Sequence, residues 1–318
     1  MPELESKWKP SPEIKTHRGD AIPSDLVFFT PPPQDLVNLR SAASNVKNGK
    51  VIQARNSMGL GLKIVCGTFL GFIGGLIACI PVALIFKYDT LIWIASLIVA
   101  VAIFVVILLM DFSTPATCNY VADNGITTNL FKKKPNLQKG IGLFLFHQAD
   151  ELRVVKSQLF TNGAYTKTNY IFEWQKANGE TIFNLKGQYH SREDNPPPLD
   201  LYYFALAAEK TWSLFKFELI HQELKENGQV IFKLGNNDAI IIAQGYVELI
   251  QKGQSSRLDG NEIKQISLSG GVIQIIPKEV KSSGFLGFGS DGIWRIPYGA
   301  IANAKIFMLI FDMLINQK

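Results

Sequence analysis

Four histidines are the first residues to weigh for chemistry: His17, His147, His190 and His221. Metal binding calls for ligands clustered at short spacing, and none of the four falls in an HxxxH or CxxC pattern. His147 closes an apolar strand candidate and His221 sits on a helix candidate, where structural roles are expected. The three cysteines, Cys66, Cys79 and Cys118, form neither a CxxC pair nor a disulfide framework. Glu193 and Asp194 precede a proline run and read as a solvated loop. The stretch from Gly284 through Gly287 to Gly289 is glycine-rich but lacks the Lys-Ser/Thr of a P-loop and the helix that follows a dinucleotide fingerprint. No Ser/His/Asp or Cys/His set can be assembled. The expectation is therefore no catalytic, cofactor-binding or metal-ligating residues, no cofactor and no enzyme activity.

Two features fit recognition better than catalysis. Lys132, Lys133 and Lys134, with Lys139, make one dense basic cluster between strand candidates. Beside an anionic leaflet each such cation contributes about 1 kcal/mol, so the cluster is a candidate lipid or partner contact. Phe285 and Phe288 lie in the glycine-rich loop and could insert into a membrane surface or a partner. Nucleic acid is not an expected partner. Residues 111–318 carry 22 Lys+Arg against 20 Asp+Glu, a dispersed +2 without the clustered cations that phosphate neutralisation needs.

The elements that would hold these groups begin with two apolar runs. Residues 64–86 contain no charge, and residues 91–110 contain none either, with Lys87-Tyr88-Asp89-Thr90 between them. Apolar residues make up 47% of the 318, and mean hydropathy is only +0.11, so the runs are a local concentration. A membrane crossing takes about 20 apolar residues. The sequence predicts a hairpin of two transmembrane helices in a cell membrane. Lys47, Lys50, Arg55 and Lys63 before the first span put both termini in the cytoplasm. No signal peptide is evident before residue 20.

Gly67, Gly71 and Gly75 recur every fourth residue and would let two helices approach closely, with Ser96 and Ala100 as the matching surface. The same stripe could join two copies of the chain. Pro81 should kink the end of the first helix. No ionisable residue falls inside either run, which argues against conduction or transport and for an anchor.

Outside the hairpin the expected organisation is a polar, proline-rich arm over residues 1–59, the hairpin within 60–111, and two β-rich domains over 112–228 and 229–318. The arm holds seven of the 15 prolines. It is expected to be extended apart from a short helix over 34–46. In the first domain, strands are expected near 119–122, 126–131, 141–147, 151–158, 168–175 and 180–185, and the Asn-Gly pairs at 124, 162 and 178 mark turns. A helix follows from the Asp200 N-cap to about residue 226. Leu201, Phe204, Ala208, Trp212, Phe215 and Leu219 lie on one face, and Asn227-Gly228 ends it. The second domain repeats the plan, with strands near 230–234, 239–243, 246–251, 262–267, 272–277 and 291–296 and a helix over 301–315. VADNGITTNLF, DELRVV and NYIFEW in the first half lie against IIAQGYVELI, NEIKQI and GVIQII in the second. Each unit reads as a curled antiparallel sheet or open barrel capped by a C-terminal helix.

The turn Asp123-Asn124-Gly125, the strand start Asp150-Glu151-Leu152 and the run from Asn162 to Tyr170 carry a resemblance, as do Trp294-Arg295-Ile296-Pro297 and Ile301-Ala302-Asn303. Over residues 117–318 the chain resembles a family of uncharacterised bacterial membrane proteins with tandem pleckstrin-homology-like domains. Ala149 and Asn261 stand where that family often has Trp. The resemblance implies a fold and no activity, ligand or catalytic residue. The expected function is a membrane-anchored, non-enzymatic binding or scaffolding protein that recognises a protein or a lipid headgroup at the cytoplasmic face. A small membrane enzyme or transport accessory and a homo-oligomer built on the glycine stripe are the rival readings.

Overall fold

The computed structural model describes residues 5–52, 64–65, 67–74, 77, 89–109, 115–131, 142–192, 195–235, 238–279 and 292–316. The chain divides into two compact units, one formed by Met1–Glu3 with Asn45–Ala116 and the other by Leu4–Ser44 with Thr117–Lys318.

In the larger unit, β1 (Leu39–Ser44), β4 (Ala116–Ala122), β5 (Gly125–Phe131) and β6 (Phe144–Leu145) form a four-stranded sheet in that order. A three-stranded sheet follows, β7 (Glu151–Thr161), β8 (Ala164–Gln175) and β9 (Thr181–Tyr189), and then a 27-residue helix, here α2 (Leu201–Asn227). The plan then repeats. A second four-stranded sheet comprises β10 (Gln229–Lys233), β11 (Ala239–Ala243), β12 (Tyr246–Gln251) and β13 (Gln254–Asp259). The second three-stranded sheet is β14 (Ile263–Ser269), β15 (Val272–Pro277) and β16 (Trp294–Pro297), and helix α3 (Ala304–Asn316) closes it. The described pairings between these strands are antiparallel, as short turns between consecutive strands require.

Local chemistry explains most of these boundaries. The Asp200 carboxylate caps α2 by accepting from the Tyr202 N–H at 2.9 Å, and Gly228 ends the helix at φ 70°. Strand β13 was not expected, because QSSRLD has one apolar residue and shows an almost fully exposed face. It exists through its pairing with β12 from Gln251↔Gln254 to Tyr246↔Asp259.

Residues 34–46 hold no helix. Leu39–Ser44 is the edge strand β1, paired with β4 through Ala42↔Tyr120 and Ser44↔Cys118. Helix propensity yields there to a vacant sheet edge that buries Ala42 and satisfies the backbone. The arm before it is bound to the same sheet. Lys7 donates to the Phe28 carbonyl at 2.9 Å, and the Trp8 ring meets Phe28 and Tyr120 edge-on at 5.1 and 5.4 Å. The Tyr120 hydroxyl donates to the Thr30 carbonyl.

The smaller unit pairs β2 (Val46–Lys47) with β3 (Lys50–Val51) and contains helix α1 (Asp89–Leu109). The expected transmembrane hairpin is corrected here. Among the described residues no helix is long and apolar enough to cross a membrane. Helix in the first apolar run is described only at 64–65, 67–74 and 77, and side chains of α1 only at Ile94 and over residues 96–105. The transmembrane assignment, the multi-pass membrane localisation and the cytoplasmic placement of both termini go with it, since the orientation argument needs a span to orient. The turn at 87–88 and Pro81 lie outside the described residues. Phe69, Phe72, Leu97 and Ile98 are exposed on these helices.

Candidate functional site

A cluster of polar side chains with chemical potential lies where the two sheet–helix modules of the larger unit meet. Helix α2 creates the meeting by serving both cores. Its first half buries Tyr202, Phe204, Ala205, Ala208 and Trp212 among Phe146, Tyr170 and Phe172 of the first module. Its second half presents Phe217, Ile220 and Leu224 to the second core, built on Ile240, Ile273, Ile275, Phe307 and Phe311. The apolar stripe therefore changes face along the helix. For that reason Leu219, on the single face inferred from spacing, is exposed.

Asn303 joins the modules. It sits in the left-handed region at φ 56°, a conformation Asn tolerates better than most residues. Its Oδ1 accepts from the Leu152 N–H of β7 and from Trp212 Nε1 of α2, both at 2.9 Å. Its Nδ2 donates to the Asp150 carbonyl at 3.3 Å, and its backbone N–H donates to the Leu152 carbonyl at 2.8 Å. The Asn303 carbonyl meanwhile accepts from Ile306 and Phe307, opening α3. One side chain thus binds the first module while its own backbone starts the last helix of the second.

Charged groups surround this joint. Arg153 donates through Nη1 to the Ala300 carbonyl at 2.5 Å, and Lys233 Nζ lies 2.9 Å from Glu151 Oε1. Lys216 lies 4.0 Å from Asp150 and 5.3 Å from the Trp212 ring centre. Burial lowers its pKa, while Asp150 and Glu151 oppose that shift. Glu209, only 6% exposed, accepts from the Tyr298 hydroxyl at 3.2 Å and lies 3.9 Å from Lys305. Burial pushes the Glu209 carboxyl above its usual range against the pull of Lys305 and Tyr298, and burial with Glu209 raises the Tyr298 phenol.

A carboxyl whose pKa is raised by burial, set beside a lysine and a phenol, is a recurrent acid–base arrangement. Here the three groups bind one another across the seam. The recess they line with Leu152, Trp212 and Asn303 has a cavity volume of about 10 Å³, far below the ~300–1,000 Å³ of small-molecule pockets. This arrangement orients the modules; it offers little room for a substrate.

The histidines are dispersed. His17 is buried, with Nδ1 2.8 Å from Ser41 Oγ and its ring 5.0 Å from that of Phe204. Burial drops its pKa to about 3 against the opposing pull of a backbone hydrogen bond with Asn119, so it is neutral at physiological pH. His147 is exposed in a 3-10 turn, His190 meets the Thr166 carbonyl at 3.0 Å, and His221 stacks on Phe217 at 5.5 Å. Cys118 is buried 3.9 Å from Ser44 Oγ, and burial raises its pKa, which keeps it a thiol. Among the described residues no group of three or more His, Cys, Asp or Glu is placed to hold a metal ion.

Of the sites expected from sequence, Lys132, Lys133, Lys134, Lys139, Phe285, Phe288 and Gly75 lie outside the described residues, as do Cys66 and Cys79. Gly67 and Gly71 are buried. A Cβ built on Gly71 would lie 2.8 Å from the Ala100 carbonyl oxygen, so the two helices approach there at backbone distance. The Asn303 joint was missed, although Asn303 and Leu152 both lie in the segments that carried the family resemblance. A polar residue just ahead of an apolar helix was the available signal, and it reads first as a cap. No family model matches the chain, and no curated protein matches it.

Proposed function

We propose that the chain is a non-enzymatic binding or scaffolding protein whose two pleckstrin-homology-like modules act as one fixed platform for a protein or a lipid headgroup. The observation that carries this reading is the Asn303 joint, which commits the hydrogen-bonding groups of that side chain to β7 and α2. Glu209, Tyr298 and Lys305, the groups best suited to acid–base work, are engaged with one another beside it. A platform gains from such locking because ordering is complete before a partner arrives.

Spin labels at Asn184→Cys and Ser269→Cys, in a chain with Cys66 and Cys79 changed to Ser, measure the distance between the modules. A single narrow distribution is expected, broadened by Asn303→Ala. A broad distribution in the otherwise unaltered chain would overturn the platform. Partners cross-linked in native extract should be retained by Glu209→Gln. Their loss with unchanged distances would assign chemistry to the seam and remove the non-enzymatic reading.

A further inference from the structure

The two modules finish the same sheet face in different ways. In the first four-stranded sheet, Ala42 of β1 stands opposite Tyr120 of β4, and Ser44 opposite Cys118. In the second, Ile231 of β10 stands opposite Ile241 of β11, and Lys233 opposite Ala239. Tyr120 and Ile241 correspond, because each lies three residues ahead of the turn that follows, Asp123-Asn124 or Gln244-Gly245. Side chains alternate across a strand, and the neighbouring Val121 and Ile242 belong to the two cores. Tyr120 and Ile241 therefore lie on the outer faces.

The first outer face is sealed by the chain's own arm. Trp8 and Phe28 pair through one bridge, and their rings meet Tyr120 at 5.4 and 6.1 Å. Ser44 Oγ donates to the Val27 carbonyl at 2.7 Å. Ala42, Cys118 and Tyr120 are fully buried as a result. The second outer face is aliphatic and open. Ile231 is 52% exposed, and Ile241, Tyr246 and Ile250 are half-buried beside Ala239. Cross-strand pairs extend this face through Ile241↔Glu248↔Arg257 and Ala239↔Ile250↔Ser255. Its rim carries both signs, Lys233 and Arg257 with Glu248 and Asp259. A sheet with one solvated face ordinarily alternates apolar inside with polar outside, and the row of isoleucines breaks that rule.

We propose that the outer face of β10, β11 and β12 is a docking site for an extended segment of a partner protein that presents aromatic and branched apolar side chains. Such a segment covers the second module as the arm covers the first. The arm supplies the pattern: aromatic rings at the centre of the face and main chain across it. Aromatic anchors ringed by polar groups are also what tight interfaces favour. Size decides between a segment and a second copy of the chain. Four strands about 4.8 Å apart and five residues of about 3.3 Å give a face of roughly 300 Å². A standard interface between folded partners buries about 800 Å² on each side. A lipid surface gains little, because the charges of the rim cancel. The site rests on the platform reading and names the partner class it serves.

The test uses the full chain and a pool of fluorescent eight-residue peptides that alternate Phe, Trp, Val or Ile with Thr, Ser or Gln. Saturable binding is expected by anisotropy, and peptides with Ser in place of the aromatic residues should not bind. Ile231→Ser should weaken binding about tenfold through lost apolar contact. Ile231 is exposed, so the near-ultraviolet circular dichroism should be unchanged. Ile231→Thr keeps a β-branched side chain and should still weaken binding about fivefold, which separates lost contact from a weakened strand. Ile171→Ser, at an exposed apolar position on β8, should leave binding unaltered. Raising the salt should change affinity less than about twofold, since the charges of the rim cancel. Failure of every peptide to bind, or binding that ignores both Ile231 variants, overturns the proposal. Binding instead to phosphatidylcholine–phosphatidylserine vesicles, lost in Ile231→Ser, assigns the face to a lipid surface. A dimer in sedimentation that Ile231→Ser dissolves assigns it to a second copy. A narrow inter-module distance with no peptide binding removes this site alone, whereas a broad distance removes the platform.

Discussion

The two modules of the larger unit share one plan of four strands, three strands and a helix, yet differ in what fills them and what interrupts them. The first core is aromatic, with Phe144, Phe146, Tyr170, Phe172, Trp174, Tyr189, Tyr202, Phe204 and Trp212 buried together. The second is largely aliphatic around Phe232, Phe307 and Phe311. The first module receives its opening strand β1 from before residues 45–116, the second is continuous from β10 onward. The first three-stranded sheet also lends the edge of β7 to its neighbour through Asn303. A shared plan thus constrains pattern and volume, while core chemistry and edge use remain free to diverge.

That contrast can be broken at the second core with the largest effect. Phe307→Ala should cost about 3–5 kcal/mol, the usual range for a fully buried phenylalanine. If α2 couples the modules, thermal unfolding of the variant remains one transition and moves as a whole. Two separated transitions would show the cores to be independent.

Asn303→Ala comes next, at about 2–4 kcal/mol, from unsatisfied Leu152 and Trp212 donors and a left-handed alanine. Asn303→Gly relieves the backbone cost and should recover about 1 kcal/mol of it. Equal losses in urea titrations of the two variants would mean that conformation contributes little and the side-chain bonds dominate.

His17 sharpens the comparison, because it lies in the arm bound to the first module. Its folded pKa of about 3 lies below the ordinary 6.5, so the unfolded chain takes up the proton first. Stability should be full above pH 6.5 and fall as pH drops toward 3, by up to about 1.4 kcal/mol per pH unit. His17→Phe should flatten that slope in pH-dependent denaturation, and an unchanged slope would assign it elsewhere.

Glu209 should show the smallest effect and the opposite sign. Its folded pKa is raised by burial, so its contribution is largest below the usual carboxylate range and declines as pH rises toward the raised value. Glu209→Gln keeps an acceptor for Tyr298 and should change stability at pH 7 by less than about 1 kcal/mol. A loss well beyond that would show the Lys305 contact to be a strong one.

Much of the second module was legible in one dimension. Strands β11, β12 and β15 match the expected ranges, because each is a short apolar run bounded by turn residues such as Gly245 and Gly271. Helix α2 was legible from the Asp200 cap to Gly228, because both ends are written in local chemistry. Its division between two cores was not, since spacing on a single face cannot say that a helix has two neighbours. The candidate site was legible only as separate segments. Asn303 and Leu152 are 151 positions apart, and no local rule links them.

The sequence by itself determined the alternation, the turns, the caps and the duplicated order of strands and helix, because those follow from φ/ψ preferences and burial within a few residues. Only the tertiary structure decided that residues 39–44 form a strand, that Asn303 joins the modules, and that Gly299 of the second module packs against Val154 and Val155 of β7. Each of these depends on which distant backbone groups find a partner, and hydrogen bonding over long separations leaves no period in the chain.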